Sequence, residues 1–214
     1  MLKKIILTGL LFISILFFKK IEMLFLNFNF SWTISKIFPF TLVVILSFLL
    51  FWKLKKLNII RNRILNYSLF IVFFVLPFGI AFALNPIYEG DFSKEGKSIV
   101  PQDPRDFTGN DFIVITIPGC KYCHESTEMI NLLQERNPDL KIKFLVCSSN
   151  EKELQAYRKK LLPKVNVALS LNIGSILNVN QGKFPSFVLN REGKYTIWNN
   201  NNFGVRARDL VEAN

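Results

Sequence analysis

Phe112-Ile-Val-Ile-Thr-Ile-Pro-Gly-Cys120-Lys-Tyr-Cys123-His124 changes its hydrophobic pattern partway along. Residues 112–117 are apolar apart from Thr116, the pattern of a strand covered on both faces. Pro118-Gly119 breaks the run. Residues 121–136 then follow a helical period, with Met129, Leu132 and Leu133 as apolar positions, until Asn137-Pro138-Asp139 stops it. Cys120 therefore stands where a strand passes into a helix. The first N–H groups of a helix lack partners within it, and their partial positive charge stabilises a thiolate. Lys121 adds a neighbouring cation. A thiol drawn from a pKa of about 8.5 toward about 7 is both populated as thiolate and reactive. Cys123, three positions on, falls on the same side of the helix and is expected to be less exposed. It can reach the Cys120 sulfur and resolve a mixed disulfide, with no metal required.

Working outward, residues 141–147 read as a second strand and 151–162 as a helix carrying Leu154, Tyr157, Leu161 and Leu162. A short strand over 165–169 and a short helix over 173–179 follow. Residues 184–189 and 194–198 flank Asn190-Arg-Glu-Gly193, a hairpin signal. The Asn199–Asn202 run reads as a polar loop, and 203–213 as a closing helix. Strand–helix units followed by a hairpin and a helix predict an α/β domain, a central mixed sheet flanked by helices. Pro185 opens an apolar strand, which is unusual because proline removes a ladder donor.

Cys120-x-x-Cys123 after a strand, with Phe184-Pro185 before a strand some 62 residues later, resembles the thioredoxin superfamily. The extra strand–helix unit between Glu151 and Val179 is similar to the membrane-tethered, TlpA-like branch, and Cys-Lys-Tyr-Cys-His to the Cys-Gly-Tyr-Cys-His of periplasmic disulfide isomerases. The resemblance covers about residues 105–214. It implies a cis bond before Pro185, with that proline opposite the dithiol. It also implies a substrate groove of Lys121, Tyr122, Phe184 and Pro185 for protein thiols and disulfides. The implied activity is thiol–disulfide exchange through Cys120 and Cys123, with no cofactor beyond their own disulfide and a membrane partner that recycles it. Three features depart from the family. Pro118-Gly119 replaces the usual aromatic before the first cysteine, no proline lies inside the dithiol, and Val114 occupies the place of a buried acid. His124, Glu125 and Glu128 are the candidates for proton transfer to and from Cys123.

The N-terminal part has another character. Residues 5–18, 37–52 and 64–84 are apolar stretches of 14, 16 and 21 residues, predicting helices over about 4–20, 35–53 and 64–84. Residues 85–106, rich in Gly, Pro, Asp and Ser, read as a tether and domain entry, with short strands as an alternative, before a domain over 107–214. No small-x-small cleavage site follows the first stretch, so it reads as an uncleaved span or anchor. Lys53-Leu-Lys-Lys-Leu-Asn-Ile-Ile-Arg-Asn-Arg63 carries five positive charges in eleven residues, which predicts a cytoplasmic loop. The third stretch then leads outward. The chain is expected to be a multi-pass protein of a bacterial inner membrane, its C-terminal domain facing the periplasm.

The net charge of +11 divides into +9 over residues 1–84 and +2 over 85–214. The excess flanks apolar segments, where cations meet lipid headgroups, so no nucleic-acid partner is expected. Two binding readings stand beside the redox one. Cys120-Lys-Tyr-Cys-His124 also fits the attachment motif of c-type haem, although His124 is the sole histidine and Met129 lies too near to serve as a distal ligand. A metal-delivery or partner-docking module is the other. Zinc would want four ligands, and no second cysteine pair is present. Cys147, ending an apolar strand, reads as a buried inert thiol, with a relay of electrons to Cys123 as the alternative.

Overall fold

The apolar stretches of the N-terminal part become helices whose breaks have local causes. A computed structural model describes residues 2–55, 63–93 and 96–213, and its contacts divide the chain into two units, Met1–Ile87 and Tyr88–Asn214. The stretch expected as one helix over 4–20 is two, α1 (Leu2–Leu16) and α2 (Phe18–Asn27), because Phe17 leaves helical geometry at φ −98°, ψ 19°. Helix α3 (Trp32–Lys55) runs past both expected ends and contains Pro39, which has no N–H to return to the Ser35 carbonyl. The third stretch comprises α4 (Arg63–Phe70), a widened turn over Ile71–Val75 and α5 (Leu76–Leu84). In that turn the Leu76 N–H reaches back five residues to the Ile71 carbonyl, immediately before Pro77 interrupts the ladder.

Leu7 and Leu11 of α1, Phe18 of α2, Phe40, Val43 and Leu50 of α3 and Ala81 of α5 form the core of this unit. Its outside is as apolar as its inside. Phe12, Leu16, Phe48, Trp52, Ile71 and Leu76 are all exposed. Only 6% of the most apolar window of Tyr67–Leu84 is buried. Two helices, Trp32–Lys55 and Tyr67–Leu84, are long and apolar enough to cross a membrane, while α1 contributes the shorter apolar run Ile6–Leu16. Most of the basic loop, residues 56–62, lies outside the described residues.

The second unit is built on a six-stranded mixed sheet of order β1-β6-β5-β2-β3-β4. The strands are β1 (Lys97–Ile99), β2 (Phe112–Thr116), β3 (Ile142–Val146), β4 (Asn166–Leu169), β5 (Ser186–Arg191) and β6 (Lys194–Asn199). β2, β3 and β4 are parallel neighbours; β5 runs antiparallel to β2, β6 to β5 and β1 to β6. The helices between them are α6 (Lys121–Arg136), α7 (Glu151–Arg158), α8 (Ile173–Asn180) and α9 (Val205–Glu212). α7 ends four residues before the expected Leu162, in a turn where Lys160 and Leu161 both donate to the Tyr157 carbonyl. The β5–β6 hairpin turns on Glu192 and Gly193, both at positive φ, and Asn190 Oδ1 accepts the Gly193 N–H at 3.0 Å.

Strand alternation sends two sets of side chains to opposite faces. Ile113, Ile115, Leu145, Cys147, Val188 and Ile197 meet Ile176 of α8 and Phe107 on one. On the other, Phe112, Phe187 and Phe203 stack, with Phe187 and Phe203 centroids 4.1 Å apart.

The segment expected as a tether is part of this unit from Tyr88 onward. β1 extends the sheet through the register Lys97↔Ile197 to Ile99↔Tyr195. The backbone at Gly90 and Asp91 lies so close to Gly204 that a Cβ there would stand 2.1 Å from the Asp91 Cα, which only glycine permits. Asp106, one residue before the expected domain start, is buried and accepts from the Ser170 hydroxyl, the Leu171 N–H and, as an ion pair at 3.5 Å, the Lys143 ammonium.

Candidate dithiol site

β2 ends at Thr116, whose hydroxyl donates to the Leu145 carbonyl and whose own carbonyl accepts the Cys147 N–H at 2.8 Å. These bonds pin the chain to β3 immediately before it leaves the sheet. Ile117 and Pro118 carry it out, and Gly119 turns it at φ +71°, a conformation that suits glycine. Cys120 is the N-cap of α6, at φ −79°, ψ 110°, and its Sγ accepts the Cys123 N–H at 3.1 Å. Sulfur thus takes the place that a serine or aspartate oxygen usually fills at a helix start, among N–H groups that lack intrahelical partners. That environment favours the thiolate.

Cys120 is half-buried and Cys123 fully buried. Their Cα atoms are 5.2 Å apart and the sulfurs lie at disulfide distance. No family model, curated protein or solved structure matches the chain. The site is therefore read from its own geometry.

The peptide bond between Phe184 and Pro185 is cis. β5 begins with Ser186 opposite Ile115, so Pro185 lies beyond the ladder at the end of the sheet where β2 runs out toward Cys120. Pro185 is buried and Phe184 half-buried, the latter against the cluster that contains Ile117 and Cys147. The Ser186 hydroxyl donates to the Lys183 carbonyl at 2.6 Å and closes the turn before the proline. The topology thus brings the dithiol and Pro185 to one sheet end.

The remaining candidates divide between solvent and core. Tyr122 is 58% exposed, and Lys121 makes an exposed ion pair with Glu125 at 3.7 Å. Glu128 is likewise exposed, whereas Cys123, Thr127 and Ile130 mark the buried face of the same helix. His124 is half-buried. Its ring stacks on Tyr157 with centroids 4.6 Å apart, and its Nδ1 lies 3.5 Å from the Lys160 ammonium. Among the described residues no group of three or more His, Cys, Asp or Glu side chains is placed to hold a metal ion.

Tyr157, read from sequence as an apolar helix position, also belongs to the site. Its hydroxyl donates to the Ile117 carbonyl at 2.9 Å, tying α7 to the segment that delivers Cys120. Burial pushes its pKa up to about 12, so it remains a donor throughout the physiological range. A tyrosine at a core position, needing a partner for its hydroxyl, was the available signal. Cys147 is buried, and burial first, then the charge of Asp106, push its thiol up to about 12.

Proposed function

We propose that this protein is a membrane-anchored, exocytoplasmic thiol–disulfide oxidoreductase of thioredoxin-like fold, similar to the TlpA-like branch, in which Cys120 attacks and Cys123 resolves. One observation carries the reading: a half-exposed sulfur at a helix start, at disulfide distance from a buried second sulfur, shares its sheet end with Pro185. In the reducing direction the Cys120 thiolate attacks one sulfur of a substrate disulfide. A Cys120–substrate bond forms and the other substrate sulfur leaves as a thiolate. The Cys123 thiolate then attacks the Cys120 sulfur, forms the internal disulfide and expels the second substrate thiol. The substrate gains two electrons and, at neutral pH, two protons; the protein loses as many. A membrane thiol carrier that supplies two electrons returns the protein to the dithiol, and the same steps in reverse oxidise a substrate. His124 is the proposed proton-transfer residue, because Glu125 and Glu128 lie on the solvent face of α6.

The basic stretch from Lys53 to Arg63 supports a cytoplasmic loop between the two long apolar helices, which directs residues 88–214 to the outside of a bacterial inner membrane. Insulin reduction by the full chain in lipid nanodiscs, with dithiothreitol as electron source, tests the activity. Aggregation of the freed insulin B chain should fall to the uncatalysed rate in Cys120→Ser. An undiminished rate in that variant overturns the proposal.

A further inference from the structure

Along β1 and the C-terminal end of β6 lies an open cleft of about 1600 Å³, whose lining includes Tyr122 of α6. That volume exceeds the roughly 300–1,000 Å³ of a small-molecule pocket and suits a segment of a polymer. Its lining is nearly uncharged: one carboxylate, Asp91, and two cations, Lys97 and Arg208, against eight carboxamides that include Gln181 and the whole Asn199–Asn202 run. Phosphates and polyanions find little here to neutralise. Carboxamides present one donor group and one acceptor, as a peptide group does, and can pair with a main chain at any side-chain sequence.

One wall is β1, the terminal strand of the sheet, which among the described residues pairs with β6 alone. Residues 97–100 all line the cleft in succession. The outer edge of such a strand carries main-chain donors and acceptors open to pairing. Val100, 89% exposed, and Tyr122 add exposed apolar side chains to the cleft lining.

We infer that this cleft is a docking site for an extended, unfolded polypeptide segment, which adds to the free edge of β1 and leads the substrate chain toward Cys120. The inference deepens the redox reading and rests on it for the substrate being a thiol protein. Three strand residues allow only a short added ladder, so capture is weak and reversible, as a turnover enzyme requires.

The test uses the full chain in nanodiscs with the photo-crosslinker p-benzoylphenylalanine at Val100, or at Leu171, which is 66% exposed and does not line the cleft. The probe is reduced, S-carboxymethylated α-lactalbumin, an unfolded chain with no free thiol. Adduct yield should be at least about fivefold higher from position 100 than from 171, unchanged in a Cys120→Ser/Cys123→Ser background, and unaffected by excess maltohexaose. Equal yields at the two positions, loss of labelling with the thiols, or competition by the saccharide would overturn the docking site. Turnover of bis(2-hydroxyethyl) disulfide, too small to need the cleft, reports the dithiol separately. Labelling without turnover defeats the redox reading alone, and turnover without labelling defeats the docking site alone.

Discussion

Cys120 is half-buried and Cys123, one helical turn on, fully buried, and under the proposed exchange that difference sets their order of action. In that proposal the half-buried Cys120 meets the substrate and the fully buried Cys123 meets the Cys120 sulfur. Cys123→Ser should therefore accumulate a Cys120–substrate mixed disulfide, visible as a higher band on non-reducing electrophoresis and absent from the double variant. Cys147 behaves oppositely to Cys120. With its folded pKa at about 12 against an ordinary 9.0, it stays protonated in the native state while the unfolded chain ionises. The unfolded state then binds fewer protons between those values, so native stability is intact below about pH 9 and falls as pH rises above it. Tyr157, raised from 10.0 to about 12, adds in the same direction from about pH 10. Urea midpoints measured from pH 8 to 11 should decline over that window, less steeply in Cys147→Ala. Its place at the end of an apolar run already marked Cys147 as a buried thiol. Its burial comes from Ile176 and Phe107, far away in the chain.

α6 and α7 together hold the dithiol. α6 starts on Cys120 because the Pro118-Gly119 turn frees the chain from β2, and the turn is held from behind by the Tyr157 hydroxyl on the Ile117 carbonyl. Tyr157→Phe removes that donor and leaves its stack against His124 and Phe144 in place. It should cost about 1 kcal/mol in urea unfolding, and amide exchange over residues 117–120 should quicken. A change confined to global stability, with no local increase in exchange, would mean that Tyr157 supports the core alone. Elements with strong local patterns were legible. β2, β3 and the β5–β6 hairpin lie within two residues of their expected bounds, and α6 matches its expected residues. β1 was legible only as an unplaced short strand before the domain, since three residues of mixed polarity become a strand by pairing with β6. The break at Phe17 was hidden, because an apolar run reads the same whether its helix is continuous or not.

Over the whole chain, the boundary of the C-terminal unit is the sharpest departure from the sequence reading. A domain beginning at residue 107 would lack β1, the contact of Gly90 and Asp91 with Gly204, and Asp106. Loss of Asp106 leaves Lys143 buried without its counter-charge, a change that costs about 3–5 kcal/mol. A fragment beginning at Tyr88 should therefore unfold cooperatively in urea, and one beginning at Phe107 at a much lower midpoint or without a transition; equal midpoints would show that the segment before 107 contributes nothing. By itself the sequence determined the division into an apolar helical part and an α/β part, the dithiol at a strand–helix junction and the special place of Pro185. Each of these is written in local periodicity, which records which face of a residue is covered. Only the tertiary structure decided that residues 88–106 complete the sheet, that Asp106 reaches Lys143 across 37 positions, and that Asn199–Asn202 and Tyr122 border one cleft. Such pairings depend on where separate strands end in space, and no local pattern carries that information.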